Sequence, residues 1–129
     1  MIDKETFLEK LKNCENKFIP YQGKISIPVL RRICLKMQHG IKFMPIHVSS
    51  ENIIVNGHHR YVGSVIAEYE LDMVGDYPKP SFENEIEWKN VEFMDEDWDA
   101  PAKVKILNEE DAAYNSMSIK EIEGIIEQK

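Results

Sequence analysis

The stretch Ile53-Ile54-Val55-Asn56-Gly57-His58-His59-Arg60-Tyr61 decides how this chain is read. It runs from an apolar strand pattern, through one glycine, into three consecutive basic or ionisable side chains. An amphipathic helix pattern follows at once. A strand that ends in glycine at the mouth of a helix suits an anion. The glycine lets the backbone come close, the first helical N–H groups have no partners inside the helix, and the helix dipole is positive there. His58, His59 and Arg60 add side-chain donors to those backbone donors. The corner therefore predicts a phosphate site, and with it a nucleotide or other phosphoryl ligand.

The flanking residues set this corner among short elements. Val62, Val65, Ile66 and Tyr69 mark the buried side of a helix from about His58 to Tyr69, and the small residues Gly63, Ser64 and Ala67 predict close packing of that helix against a sheet. Phe43–Val48 reads as a strand interrupted by Pro45, and Ser49–Asn52 as the turn of a hairpin with Ile53–Val55. Pro28–His39 reads as a helix with Gly40 past its end. An N-terminal helix is expected over residues 4 to 16, with Asp3 as its cap. Residues 18 to 27 read as a loop and a short extended segment, Leu71–Val74 as a short strand ended by Gly75, and Asp76–Glu83 as a loop. Strands are expected near Trp88–Phe93 and over Ala102–Leu107. Ser118 and Glu121 make a capping box for a last helix over Ser118–Glu127. The pattern predicts one α+β domain over 1–129, a small mixed sheet flanked by helices.

The 129 residues suit one core, and 43% hydrophobic with 30% charged residues is ordinary for a globular protein. No apolar run approaches a membrane span, and the N-terminus lacks the pattern of a secretory signal, so a cytoplasmic protein without a membrane partner is expected. Cys14 and Cys34 read as reduced thiols within helices. The net charge of −7 argues against a freestanding nucleic-acid binder, although Lys24, Arg31, Arg32, Lys36 and Lys42 form a basic stretch.

The order of elements and the Gly57-His58-His59-Arg60-Tyr61 box resemble the ParB/sulfiredoxin-like superfamily. Met44-Pro45-Ile46-His47-Val48 is similar to the family's Pro-Ile/Leu-x-Val strand. Ile54-Val55-Asn56-Gly57-His58-His59-Arg60-Tyr61 is similar to its Ile-Asp-Gly-x-His-Arg box. The resemblance covers about residues 24–74. It leaves 1–23 as an N-terminal helix and loop, and 75–129 as an unmatched C-terminal extension. It implies a ParB/sulfiredoxin-like fold with a nucleotide- or phosphate-binding site. Members of the family repair oxidised cysteine with ATP, hydrolyse CTP while clamping DNA, or transfer phosphate to an amino acid, and some are described as nucleases. His58 stands where sulfiredoxins carry their catalytic cysteine, which argues against that chemistry here. The DNA-clamping members continue into a helix-turn-helix region that this chain is too short and too acidic to hold.

The expected ligand set is Gly57, His58, His59 and Arg60. Arg60 is the best phosphate partner because its planar fork makes two parallel charge-assisted hydrogen bonds. His59 or His58 supplies a catalytic acid/base in an enzymatic reading, since imidazole changes charge near neutral pH. Glu51, Glu68 and Asp72 are the candidates for an acidic base by sequence proximity. Tyr61 reads as a core aromatic with a tethered hydroxyl. Arg31, Arg32 and Lys24 read either as a solvated face or as accessory phosphate contacts. The four histidines lack metal-ligand spacing, so no protein-held metal site is expected, and the stretch Asp95–Asp99 reads as a solvated acidic turn. Two functions follow. One is a nucleotide-dependent enzyme, a phosphotransferase or nucleotide hydrolase using ATP or CTP with Mg²⁺. The other is a non-catalytic binding module in a nucleic-acid or protein-partner system.

Overall fold

Short polar caps and apolar stripes start and stop most of the helices. The computed structural model describes residues 1–15, 17–78 and 86–127. Helix α1 spans Lys4–Leu11, where the Asp3 carboxylate accepts the Thr6 N–H at 2.8 Å. It is shorter than expected, and Cys14 lies beyond it, with Sγ 3.6 Å from the Lys10 carbonyl. Strand β1 spans Lys24–Ser26, and helix α2 spans Ile27–Gln38. Ser26 caps α2 through its hydroxyl, Pro28 sits in the first turn, and Gly40 past the end takes φ 79°. Strands β2 (Ile46–Ser49) and β3 (Ile54–Asn56) form the expected hairpin, with a bulge between His47 and Val48. Pro45 keeps residues 43–45 out of β2, since it has no N–H to donate.

Helix α3 spans His58–Ala67 and strand β4 spans Met73–Tyr77. Gly75 lies inside β4 rather than ending it. β4 pairs parallel with β2, giving a three-stranded mixed sheet in the order β3-β2-β4. A second sheet pairs β1 in parallel with β5 (Glu92–Met94), which follows a single turn of 3₁₀ helix at Trp88–Asn90. The expected strand near Trp88–Phe93 is thus half helical turn and half strand. The strand expected over Ala102–Leu107 is overturned: Pro101–Tyr114 is helix α4, with Pro101 in the first turn, where its missing N–H costs nothing. Helix α5 spans Ile119–Ile126 and carries the expected capping box. Of the loop expected over 76–83 and the segment opening at Glu85, residues 79–85 lie outside the described residues.

The fold is α+β, with five α-helices and two small sheets among the described residues. Its main apolar centre gathers Phe7, Leu30, Ile54, Tyr61, Val62 and Trp88. Trp88 meets Phe7 edge-on at 4.9 Å between ring centroids, stacks on Tyr61 at 5.7 Å, and donates its indole N–H to the Phe18 carbonyl. Burying each such side chain contributes roughly 1.5–3 kcal/mol. Tyr61 is a core aromatic: it is buried, its hydroxyl accepts the Phe18 N–H, and burial pushes that hydroxyl up to about 12. The small residues of α3 serve a helix rather than the sheet. A Cβ at Gly63 would stand 2.8 Å from Cγ2 of Ile33, so the glycine is what lets α2 and α3 touch. A second apolar cluster of Ile41, Ala112, Ile122 and Ile125 fastens α4 and α5 to the end of α2. The C-terminal extension therefore completes the structure, and α4 becomes a wall beside the corner at Gly57.

Candidate functional site

A cleft of about 560 Å³ opens where β3 hands over to α3, and Gly57, His58, His59 and Arg60 all line it. That volume falls in the range of small-molecule sites, roughly 300–1,000 Å³. The corner is shaped by Gly57, which takes φ 111° and caps α3 without a side-chain hydrogen bond. A Cβ there would stand 2.5 Å from Cγ2 of Ile46 and 3.0 Å from Nη2 of Arg60, so backbone shape and close packing both require glycine. The backbone N–H groups of His58, His59 and Arg60 donate to nothing among the described residues. They are the orphan donors expected of a helix start, at the positive end of its dipole.

Arg60 is half-buried and holds the segment that leads into β2. Its Nη1 donates to the carbonyls of Met44 at 2.8 Å and Pro45 at 3.0 Å. No carboxylate pairs with it among the described residues, and burial pulls its pKa below the usual value. The other cations of the cleft are neutralised. Arg32 is bidentate to Asp97 at 2.7 and 2.8 Å and lies 3.8 Å from Asp99. Lys36, 4% exposed, pairs with Asp111 at 2.6 Å, and Lys103 pairs with the buried Asp99 at 3.1 Å. The hydrogen bond from Arg32 holds the Asp97 carboxyl down at about 2. The stretch 95–99 is therefore not simply solvated; Asp97 and Asp99 tie it to Arg32 of α2 and Lys103 of α4. A guanidinium desolvated without a counter-charge is costly, and an anion binding beside it recovers that cost.

The two histidines face the protein through Nε2. His58 accepts the Tyr21 N–H at 3.2 Å, and His59 accepts the Ser26 N–H at 2.9 Å. Each therefore presents an unprotonated Nε2. Burial is the first cause of a lowered pKa in both, to about 4, with neighbouring His59 adding to it at His58 and Lys103 at His59. Both rings are neutral at pH 7, and neither titrates near neutrality as acid/base work there would ask. The rings also carry packing: Tyr21 meets His58 edge-on at 4.8 Å, and Trp98 meets His59 edge-on at 5.3 Å.

The remaining sequence candidates scatter. His39 ends α2 with Nδ1 2.8 Å from the Leu35 carbonyl, and His47 stacks on Tyr77 at 4.3 Å, so the four histidines do not converge. Among the described residues no group of three or more His, Cys, Asp or Glu side chains is placed to hold a metal ion. Glu51, Glu68 and Asp72 do not line the cleft. Glu68 caps the far end of α3, about 15 Å along the helix from Gly57. Arg31 donates to the Ile126 carbonyl, while Lys24 is exposed and outside the cleft. Cys34 is buried, and burial pushes its thiol up to about 12.

Sequence reasoning missed the opposite wall. Trp98, Asp99, Lys103, Asn108 and Glu110 line the cleft from the acidic turn and α4. Asn108 is 3% exposed, and its amide oxygen is buried without a hydrogen-bond partner among the described residues. Leaving such a group unpaired costs roughly 1–3 kcal/mol. The signal that could have found this wall was Pro101 as a helix starter after the acidic turn.

Compared with protein-family models, with curated proteins and with solved structures, the chain matches none. No helix among the described residues is long and apolar enough to cross a membrane. Fold and cleft together define a small α+β protein with a polar, partly aromatic cleft at a strand–helix junction.

Proposed function

We propose that this chain is a ParB/sulfiredoxin-like binding module that holds a nucleoside phosphate, such as ATP or CTP, in the cleft at the start of α3. The observation that carries this reading is Arg60, a half-buried guanidinium without a carboxylate partner among the described residues, beside three unclaimed backbone N–H groups. One side chain and three amides are a donor set for a phosphate. The cleft is larger than a phosphate needs, and Tyr21, Phe43 and Trp98 offer ring surface for the rest of a nucleoside. Mg²⁺ accompanies the nucleotide, held mainly by phosphate oxygens and water. His58 and His59 brace the corner by accepting backbone N–H groups. A mononucleotide fits better than nucleic acid, because Arg32, Lys36 and Lys103 are already paired with acids and the net charge is −7.

Turnover by phosphoryl transfer or nucleotide hydrolysis is the second reading. It is favoured by Glu110, an exposed carboxylate of the cleft without an ion-pair partner among the described residues. Calorimetry with ATP, CTP and their Mg²⁺ complexes, followed by an assay of nucleotide loss, separates the two. Binding without loss supports the module; loss that disappears in Glu110→Gln supports the enzyme. Absence of binding to any of these at millimolar concentration contradicts both.

A further inference from the structure

Resting on that reading, we infer that Trp98 is the platform on which the nucleobase stacks, and that the site therefore accepts any of the common bases. The other two large aromatic rings of the cleft are taken up by packing. Tyr21 lies edge-on to His58 with its hydroxyl on the Val55 carbonyl, and Phe43 lies edge-on to Tyr69 at 6.2 Å. Both are half-buried, whereas Trp98 is 42% exposed on the cleft wall. A tryptophan so placed leaves much of its apolar area in water, and a flat, weakly polar ligand group is what would cover it.

The backbone that carries this ring is tied on both sides. The Glu96 carbonyl accepts the Ser26 hydroxyl at 2.7 Å, Asp97 is bidentate to Arg32, and Asp99 pairs with Lys103 at 3.1 Å. Little ordering is left for a ligand to impose on the turn. Ser26 also gives its N–H to His59, whose ring centroid lies 5.3 Å from that of Trp98. One serine therefore fixes the platform relative to the start of α3. A phosphate has no flat face to lay on an indole, and a base has no charge for the Arg60 corner. Corner and platform together suit the two ends of one nucleotide. Stacking is tolerant of base identity because every base has a π-face.

Calorimetry on the full chain tests this with ATP, GTP, CTP, UTP, ribose 5-triphosphate and inorganic tripolyphosphate. All four nucleotides are expected to bind wild type about fivefold or more tightly than ribose 5-triphosphate. Trp98→Ala is expected to abolish that preference and to leave tripolyphosphate unchanged, while Trp98→Phe, which keeps a π-face, retains most of it. If Trp98→Ala melts well below wild type, Trp98→Leu, which keeps bulk without a π-face, carries the same comparison. Nucleotides, and not tripolyphosphate, are expected to quench tryptophan emission, with free tryptophan as the absorbance control. The second tryptophan, Trp88, is 7% exposed within the core, so Trp98→Phe should remove the response. Equal affinity of wild type for the nucleotides and ribose 5-triphosphate overturns this inference and leaves the phosphate corner standing. So does a wild type that takes one base and refuses the others. A Trp98 variant, still folded, that loses tripolyphosphate as much as ATP shows the ring propping His59 rather than stacking a base, and overturns the inference too. Failure of every probe to bind overturns the inference and the underlying function together.

Discussion

Ser26 gives its backbone N–H to Nε2 of His59 at 2.9 Å, and this bond ties the start of α2 to the start of α3. The Ser26 hydroxyl also donates to the Glu96 carbonyl at 2.7 Å, so the acidic turn is fastened to the same point. His58 repeats the device with the Tyr21 N–H. The two imidazoles are thus acceptors whose job is done only while they are neutral.

Acid should loosen this corner. Both rings sit at about 4, below the ~6.5 of an unfolded chain. Between those values the unfolded state binds more protons than the folded one, so stability rises with pH across that window and is flat above it. Urea titrations at pH 7, 6 and 5 are expected to lose roughly 3–4 kcal/mol in total. His59→Gln, which keeps an acceptor but does not titrate, is expected to flatten the slope. Equal stability at pH 7 and pH 5 would show that the rings are not buried as acceptors.

Gly57 admits no side chain. Gly57→Ala places a Cβ against Ile46 and holds a non-glycine residue at φ 111°, and is expected to cost about 1–3 kcal/mol. Part of that cost is the clash. In a double-mutant cycle, Ile46→Ala should therefore absorb some of it, giving less than additive destabilisation. Strict additivity in urea melts would place the two residues out of contact.

Lys36 and Asp111 stand or fall together. Asp111→Asn leaves an ammonium that is 4% exposed without its partner, and is expected to cost about 3–5 kcal/mol. Lys36→Met with Asp111→Leu removes both charges and should recover most of that loss. A double variant less stable than Asp111→Asn alone, by denaturant titration, would contradict a buried ion pair.

Much of this was legible because local chemistry and tertiary role agree. Asp3, Ser118 and Gly40 cap or stop their helices as their side chains or positive φ allow, and the hairpin around Ser49–Asn52 follows from apolar strands either side of a polar turn. Helix α4 was not legible. Ala102-Lys103-Val104-Lys105-Ile106 alternates like a strand, and the helix leaves Ile106 and Tyr114 half-exposed while burying Asn108, so its apolar pattern misleads. The parallel pairing of Lys24 with Glu92 joins residues too distant for any local pattern to reveal. Of the site, the Gly57–Arg60 corner was readable as a motif. The roles of His58 and His59 were not, since their partners are backbone N–H groups of Tyr21 and Ser26 rather than anything written in side chains. The wall of the cleft was hidden with α4.

The most direct measurement is calorimetric titration of tripolyphosphate into wild type and Arg60→Ala at two salt concentrations. A charge-assisted contact with phosphate is worth about 1.5–3 kcal/mol, so the variant should bind at least tenfold more weakly, and wild-type affinity should fall as salt rises. Equal affinity in the two proteins, with the variant still folded by its melting curve, would contradict an anion site at the start of α3.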